Sequence, residues 1–204
     1  MRDLFAGVTR FQQRKYPELR SRFEQLANGQ QPDALFITCS DSRVDPALLT
    51  DCQPGELFVI RNAGNIIGRQ GEADLGIAAT IEYAVNALQV PQIIVCGHTK
   101  CGAMAGLLDP DSTSSLPEVS KWVSTARKAL EAIPQDETTD RLTQVVQANI
   151  RLQLCNLMTF PAVADAVEAR RLTLKGWLYD FETGTVSVLT PETEQFSQPV
   201  AQTV

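Results

Sequence analysis

Two short motifs carry side chains whose types and spacing are suited to metal chemistry. Residues 39–43, with the sequence CSDSR, directly follow the first predicted strand, and residues 97–102, with the sequence GHTKCG, directly follow the third. Ligands of open α/β sheets bind beyond the carboxyl ends of the strands, so neighbouring strands would bring both motifs to one edge. Cys39, His98 and Cys101 would then form a set of two thiols and one imidazole.

This ligand set indicates zinc. Thiolate and imidazole are preferred zinc ligands, and three protein ligands with one open position are typical of catalytic rather than structural sites. Asp41 is the remaining acceptor nearby, and Arg43 is close enough in sequence to hold it in a charge-assisted pair. If Arg43 keeps Asp41 off the metal, the fourth position is left for water.

Other interpretations of these residues are weaker. A single Cys at a strand end is usually a small buried hydrophobe, and Ser-Asp-Ser alone is usually a cap or turn, but their joint placement with His98 is harder to obtain by chance. A phosphatase-type loop has five residues between its Cys and its Arg, whereas three residues separate Cys39 from Arg43. The glycines beside His98 lack the Gly-Lys-Ser/Thr of a phosphate loop. Cys96 lies in an apolar strand, and Cys52 and Cys155 have no His or second Cys at ligand spacing.

Length and composition limit the class of protein. The chain has 204 residues, which suits a single domain over 1–204, and a net charge of -6, which argues against nucleic-acid binding. No apolar run reaches the roughly 20 residues that span a bilayer, and no signal peptide is visible. The five cysteines at irregular spacing are better explained as thiols or metal ligands in a reducing cytoplasm than as disulfides. His98 is the one histidine, so sites with several His ligands are excluded.

The hydrophobic pattern predicts an α/β fold with a central, mostly parallel sheet flanked by helices. Short apolar runs at 34–38, 57–60 and 92–95 indicate buried strands, and a helix at 73–88 separates the second from the third. We expect helices at 119–133, 141–158 and 161–169, then a hairpin from 172–179 and 185–189.

The two ends of the chain are expected to differ from this central fold. Residues 1–28 form a predicted helical arm, broken at Tyr16-Pro17, whose apolar face must pack on the chain's own core or on a partner subunit. The tail at 191–204 is expected to be poorly anchored.

The sequence closely resembles the β-class carbonic anhydrases, and within them the plant, cyanobacterial and cyanate-operon branch. Four blocks similar to the signatures of that family occur in order, from the arm to about residue 190: CSDSRV at 39–44, FVIRNAGN at 58–65, IEYAV at 81–85 and GHTKCGA at 97–103. The resemblance implies reversible hydration of carbon dioxide to bicarbonate and a proton, by attack of a zinc-bound hydroxide. It also implies one zinc ion per chain, bound by Cys39, His98 and Cys101, with Asp41 and Arg43 as the catalytic dyad.

The resemblance further implies a substrate pocket and an oligomer. Gln30, Phe58 and Tyr83 match positions that line the pocket, partly from the neighbouring subunit, and Gly102 matches a backbone amide near the bicarbonate site. A homodimer or higher homo-oligomer is therefore expected. The expected location is the cytoplasm, with a carboxysome or another compartment as alternatives.

Two alternatives remain open at the level of sequence. A zinc hydrolase acting on carbon disulfide or carbonyl sulfide would use the same metal and differ in pocket shape and access. A structural or redox zinc protein would use Cys39 and Cys101 as a thiol switch, although a structural site would be expected to supply a fourth Cys or His.

Overall fold

The fold is built on one six-stranded sheet. The computed structural model describes residues 3–133, 140–191 and 193–199. The strands are β1 (Ala34–Cys39), β2 (Leu57–Asn62), β3 (Gln92–His98), β4 (Thr173–Asp180), β5 (Thr185–Thr190) and β6 (Gln195–Ser197), in the order β2-β1-β3-β4-β5-β6. The first four strands in this order run parallel, and β5 and β6 pair antiparallel. The predicted fold class, a mostly parallel sheet flanked by helices, is confirmed.

Helices connect and cover the strands. They are α1 (Leu4–Arg10), α2 (Tyr16–Leu26), α3 (Pro46–Thr50), α4 (Leu75–Glu82), α5 (Gly102–Leu108), α6 (Pro117–Ser124), α7 (Lys128–Glu131), α8 (Arg141–Leu157) and α9 (Pro161–Glu168). Wider π-helical turns span Phe11–Lys15 and Tyr83–Ala87, and short 3₁₀ turns span Ala63–Asn65 and Pro110–Thr113. Within the described ranges, no helix is both long and apolar enough to cross a membrane.

Helix α8 lies close against the centre of the sheet because two strands carry glycine where it crosses them. A Cβ added at Gly97 of β3 would lie 2.9 Å from Ile150 Cδ1, and one at Gly176 of β4 would lie 2.9 Å from Ile150 Cγ2. Ile150 is fully buried, so its replacement by Ala would destabilise the fold by about 2–5 kcal/mol. This packing holds β3, and with it His98, against the helix.

The N-terminal arm is helical without the predicted break at Tyr16-Pro17. The backbone N–H of Tyr16 bonds to the carbonyl of Phe11, five residues earlier, so a π-helical turn joins α1 to α2. Pro17 lacks an N–H, and it lies at the first turn of α2, where that loss is tolerated. The Arg22 guanidinium donates to the Pro54 carbonyl at 2.6 Å and ties the arm to the body of the protein.

Two further predictions differ from the structure. The helix predicted at 119–133 is divided into α6 and α7. Between them, the backbone N–H groups of residues 125–127 bond to carbonyls three residues earlier, rather than four as in an α-helix. The tail predicted to be poorly anchored contains β6, where Phe196 packs on the core and lies 5.1 Å below the Arg151 guanidinium. The part of the tail at 200–204 lies outside the described residues.

Candidate metal centre and active site

Three buried ligand side chains converge at the carboxyl edge of the sheet. Cys39 ends β1 and His98 ends β3, and these strands are parallel neighbours. Cys101 follows at the N-cap of α5, where its backbone is extended. The three residues are at most 5% exposed, and their ligand atoms all lie within 4.8 Å of one another. The convergence predicted from the two motifs is therefore observed.

The geometry of these atoms fits a tetrahedral zinc ion. The sulfur atoms of Cys39 and Cys101 are 4.0 Å apart, and two thiolates at about 2.3 Å from zinc in a tetrahedron would be about 3.8 Å apart. His98 Nδ1 lies 2.8 Å from the Thr99 carbonyl oxygen, which can only accept, so Nδ1 carries the proton. His98 Nε2 is buried and has no hydrogen-bond partner among the described residues, so it is available to a metal.

The two thiols respond to each other in opposite ways. An S–H hydrogen bond shared with Cys101 lowers the pKa of Cys39, and a hydrogen bond from the Gly64 amide acts in the same direction against the effect of burial. The same hydrogen bond, together with burial, raises the pKa of Cys101. The shared hydrogen bond therefore favours the thiolate form at Cys39 over that at Cys101.

Asp41 and Arg43 form a closely bonded pair beside the three ligands. Arg43 Nη2 donates to Asp41 Oδ2 at 2.7 Å, and Arg43 Nε donates to Asp41 Oδ1 at 2.9 Å. The Arg43 guanidinium holds the pKa of the Asp41 carboxyl well below its usual range, with burial opposing this effect. The carboxylate therefore stays ionised at neutral pH and is directed toward Arg43.

Two residues outside the predicted catalytic and metal-binding set support this pair. Arg61 donates to the carbonyl oxygens of Cys39 at 3.1 Å and Asp41 at 2.8 Å, which fixes the backbone between them. The Phe181 ring lies 4.2 Å below the Arg43 guanidinium and 5.8 Å from the His98 ring. Phe181 follows β4, and no sequence pattern marks it. Its place beside Arg43 depends on how the β4–β5 turn folds over the sheet edge.

A buried polar stripe on α8 is a second feature that sequence reasoning missed. Asn149, Gln153 and Asn156 occur at helical spacing and are at most 7% exposed. Asn149 Nδ2 donates to the Gly64 carbonyl at 2.9 Å, and Gln153 and Asn156 bond the N–H and C=O of Ile67. Amides on the core-facing side of an apolar helix are the signal that would have identified them, because buried polar groups require partners.

Of the four residues matched to a substrate pocket, one lies beside the ligands and three lie toward the opposite end of the sheet. Gly102 directly follows Cys101 and begins α5, beside the ligands. The rings of Phe58 and Tyr83 lie 6.0 Å apart, but Phe58 pairs with Leu35 near the start of β1, whereas the ligand Cys39 pairs with Asn62. Four residues of strand separate these two levels by about 13 Å. Gln30 is exposed and precedes β1, so it also lies toward the other end of the sheet.

Comparison with known proteins identifies the family. The family described as carbonic anhydrase matches residues 34–186, so the chain belongs to the carbonic anhydrase family, whose enzymes interconvert carbon dioxide and bicarbonate. A carbonic anhydrase of Pseudomonas aeruginosa is 46% identical over 199 residues, which cover 96% of this chain and 90% of that protein.

Solved structures place the chain in the β class. The β-carbonic anhydrase CcaA is 44% identical and superposes with a TM-score of 0.90, over 96% of this chain and 98% of that one. One of two tetrameric β-carbonic anhydrases of Sordaria macrospora is 30% identical with a TM-score of 0.80, over 91% of this chain and 94% of that one. The protein is accordingly an enzyme of the carbonate dehydratase type.

Proposed function

We propose that one zinc ion per chain binds to Cys39, His98 and Cys101, and that carbon dioxide hydration takes place at this centre. One observation supports the proposal most strongly. The His98 Nε2 atom is buried without a hydrogen-bond partner among the described residues, and it lies within 4.8 Å of two thiol sulfurs. An isolated buried nitrogen is unfavourable, whereas a metal ion would satisfy it. When bound, zinc lowers the pKa of a coordinated water and so supplies a nucleophile near neutral pH.

Asp41 would orient the nucleophile in this proposal. Its Oδ2 atom lies 3.8 Å from His98 Nε2, at the edge of the ligand set, and the carboxylate is ionised because Arg43 lowers its pKa. An ionised carboxylate accepts a hydrogen bond and can turn a lone pair of the attacking oxygen toward carbon dioxide. Arg43 would keep Asp41 from binding the metal itself. The Gly102 amide would donate to the product bicarbonate.

A second copy of the chain would complete the substrate pocket. Phe58 and Tyr83 lie toward the opposite end of the sheet from the ligands of their own chain, and Tyr83 is 51% exposed. In a homo-oligomer, these residues and Gln30 would face the metal centre of the neighbouring subunit, where Gln30 could donate to the oxygen that becomes negative. The tetrameric β-carbonic anhydrases of Sordaria macrospora support this assembly.

Proton release would proceed without a histidine. His98 is the one imidazole of the chain, and as a metal ligand it cannot also carry protons from the site. Water chains, Tyr83 or other non-histidine groups, and finally the buffer would accept the proton of each turnover.

Stopped-flow measurement of carbon dioxide hydration, together with a zinc count on the purified protein, tests the proposal. We expect one zinc per chain and turnover that is lost with the metal and restored by adding it back. Tight zinc retention without hydration would instead favour a structural or redox zinc protein. Faster turnover of carbon disulfide or carbonyl sulfide than of carbon dioxide would favour the related hydrolases.

A further inference from the structure

The peptide unit between Ala63 and Gly64 connects a tryptophan to a proposed zinc ligand. Its N–H, on Gly64, donates to the Cys39 sulfur at 3.3 Å. Its C=O, on Ala63, accepts from the Trp122 indole Nε1 at 2.7 Å. A peptide unit is planar and its N–H and C=O point in opposite directions, so a bond that fixes the oxygen also fixes the direction of the N–H.

This peptide belongs to a loop whose backbone is held by side chains rather than by a strand or a regular helix. Asn62 bonds both the N–H and the C=O of Ile66, at 2.8 and 2.9 Å, and Asn149 donates to the Gly64 carbonyl. Gly64 has a φ of +80°, and a Cβ there would lie 2.9 Å from Met104 Cε. The loop conformation thus depends on its side-chain anchors, and Trp122 provides the anchor on the peptide that faces Cys39.

We infer that Trp122 is a positioning residue for the metal centre, acting through the Ala63–Gly64 peptide on the Cys39 sulfur. The inference rests on the proposed zinc site. A donor on the carbonyl oxygen polarises the amide and strengthens the hydrogen bond that its N–H gives to the sulfur. That bond orients the thiolate and withdraws charge from it, as outer-shell partners of metal ligands do.

Trp122 is separate from the residues to which the reaction is assigned. It lies on α6, and together with Ile77 and Val119 it lines an open groove of about 510 Å³ that none of the proposed ligands lines. Its indole is a donor only, and the bond to Ala63 is the polar contact found for it among the described residues. Trp177 offers a matched comparison, because its Nε1 is buried with no such partner and its ring packs against Phe36.

Trp122→Phe removes the indole N–H and keeps an aromatic ring. Zinc affinity of the full-length chain is measured by competition with a chromophoric chelator, and folding is checked by circular dichroism. Loss of a direct outer-shell partner weakens metal binding by about 10- to 100-fold, and Trp122 acts one hydrogen bond further out, so we expect a loss of up to about tenfold in Trp122→Phe. In the cobalt-substituted protein, the sulfur-to-cobalt charge-transfer band should move to longer wavelength, because the thiolate loses a donor. Trp177→Phe should change neither quantity.

A single-atom substitution separates the hydrogen bond from packing. The chain has two tryptophans, so in the Trp177→Phe variant position 122 is the one tryptophan left. A tryptophan analogue with sulfur in place of the indole N–H is therefore incorporated at position 122 alone. The analogue should reproduce both changes of Trp122→Phe. Unchanged zinc affinity and an unchanged cobalt spectrum in either variant would overturn the inference while leaving the zinc site intact. Failure of the parent chain to bind zinc would instead overturn the proposed function.

Discussion

Both oxygens of the Asp41 carboxylate accept hydrogen bonds from the Arg43 guanidinium, at 2.7 and 2.9 Å. The same pairing leaves Asp41 Oδ2 3.8 Å from His98 Nε2, beside the ligand set but outside it. The Arg43 guanidinium also stacks on the Phe181 ring and donates to the Lys100 carbonyl, and these two contacts hold it beside Asp41. The arrangement keeps an ionised acceptor next to the open side of the three ligands.

Replacing Asp41 with Asn tests the role of that acceptor. We expect Asp41→Asn to retain one zinc per chain, because Asp41 is not among the proposed ligands, and to lose about 10²- to 10⁴-fold in turnover, the range for removal of a positioned acid or base. Stopped-flow hydration and a zinc count on the same sample measure both effects. Asp111→Asn, at an exposed residue of the loop after α5, is the control. Near-normal hydration by Asp41→Asn would refute the assigned role.

The lowered pKa of Asp41 predicts a pH-dependent contribution to stability. Because the folded-state pKa lies below the unfolded value of about 3.9, the stabilisation is fully present above that value and is lost as the pH falls through the folded pKa. Arg43→Met should therefore lower the free energy of unfolding at neutral pH, and the difference from the parent chain should shrink on acidification below about pH 4. Urea unfolding across this range measures the difference. The free energy of unfolding of Asp41→Asn is compared with that of the parent chain in the same way. If this second difference does not change with pH, the pair does not act by charge.

Turnover is expected to depend on buffer concentration. Since His98 is the one imidazole and is assigned to the metal, no histidine remains to carry protons to solvent. Hydration rates should rise with the concentration of an imidazole-type buffer at fixed pH and ionic strength, and then reach a plateau. Rates that are the same at low and high buffer concentration would contradict a proton-release step that relies on buffer.

Metal removal should change which thiols react. Cys155 is exposed and should react with a thiol reagent in every state, whereas burial raises the pKa of Cys96 to about 12 and should keep it unreactive until unfolding. After zinc is removed with a chelator, alkylation should appear at Cys39, whose pKa is lowered by Cys101. Peptide mapping by mass spectrometry assigns each site. Equal labelling of Cys39 before and after chelation would argue against its role as a ligand.

The exposed face of α1 predicts assembly through the arm. Leu4 and Phe5 are 77% and 79% exposed, and Val8 is 48% exposed, an arrangement that favours burial against another copy. A Phe5→Asp, Val8→Asp double variant should form smaller particles in size-exclusion chromatography with light scattering. It should also lose hydration activity if Phe58 and Tyr83 act across the interface. Gln12→Asp, an exposed polar position of the same arm, is the control. A parent chain that elutes at its monomer mass of 22.4 kDa would refute assembly.

The sequence by itself determined the three proposed ligands and the sheet that carries them. Cys39, His98 and Cys101 follow apolar strands, and strands buried on both faces leave a hydrophobic signature that fixes which residues stand at their carboxyl ends. Asp41 and Arg43 are two residues apart, so their pairing was also accessible to local reasoning. The Tyr16-Pro17 break was wrong because a π-helical turn accommodates the proline, and no local pattern marks that turn.

Only the tertiary structure decided what surrounds these ligands. Trp122 and Phe181 are distant in sequence from the residues that they contact, and no periodic pattern distinguishes a bonded indole or a ring under a guanidinium from an ordinary aromatic position. The separation of Phe58 and Tyr83 from the ligands likewise depends on strand register, which is set by packing across the whole sheet. Periodicity along the chain places residues at strand ends, whereas long-range hydrogen bonds depend on how those elements pack together.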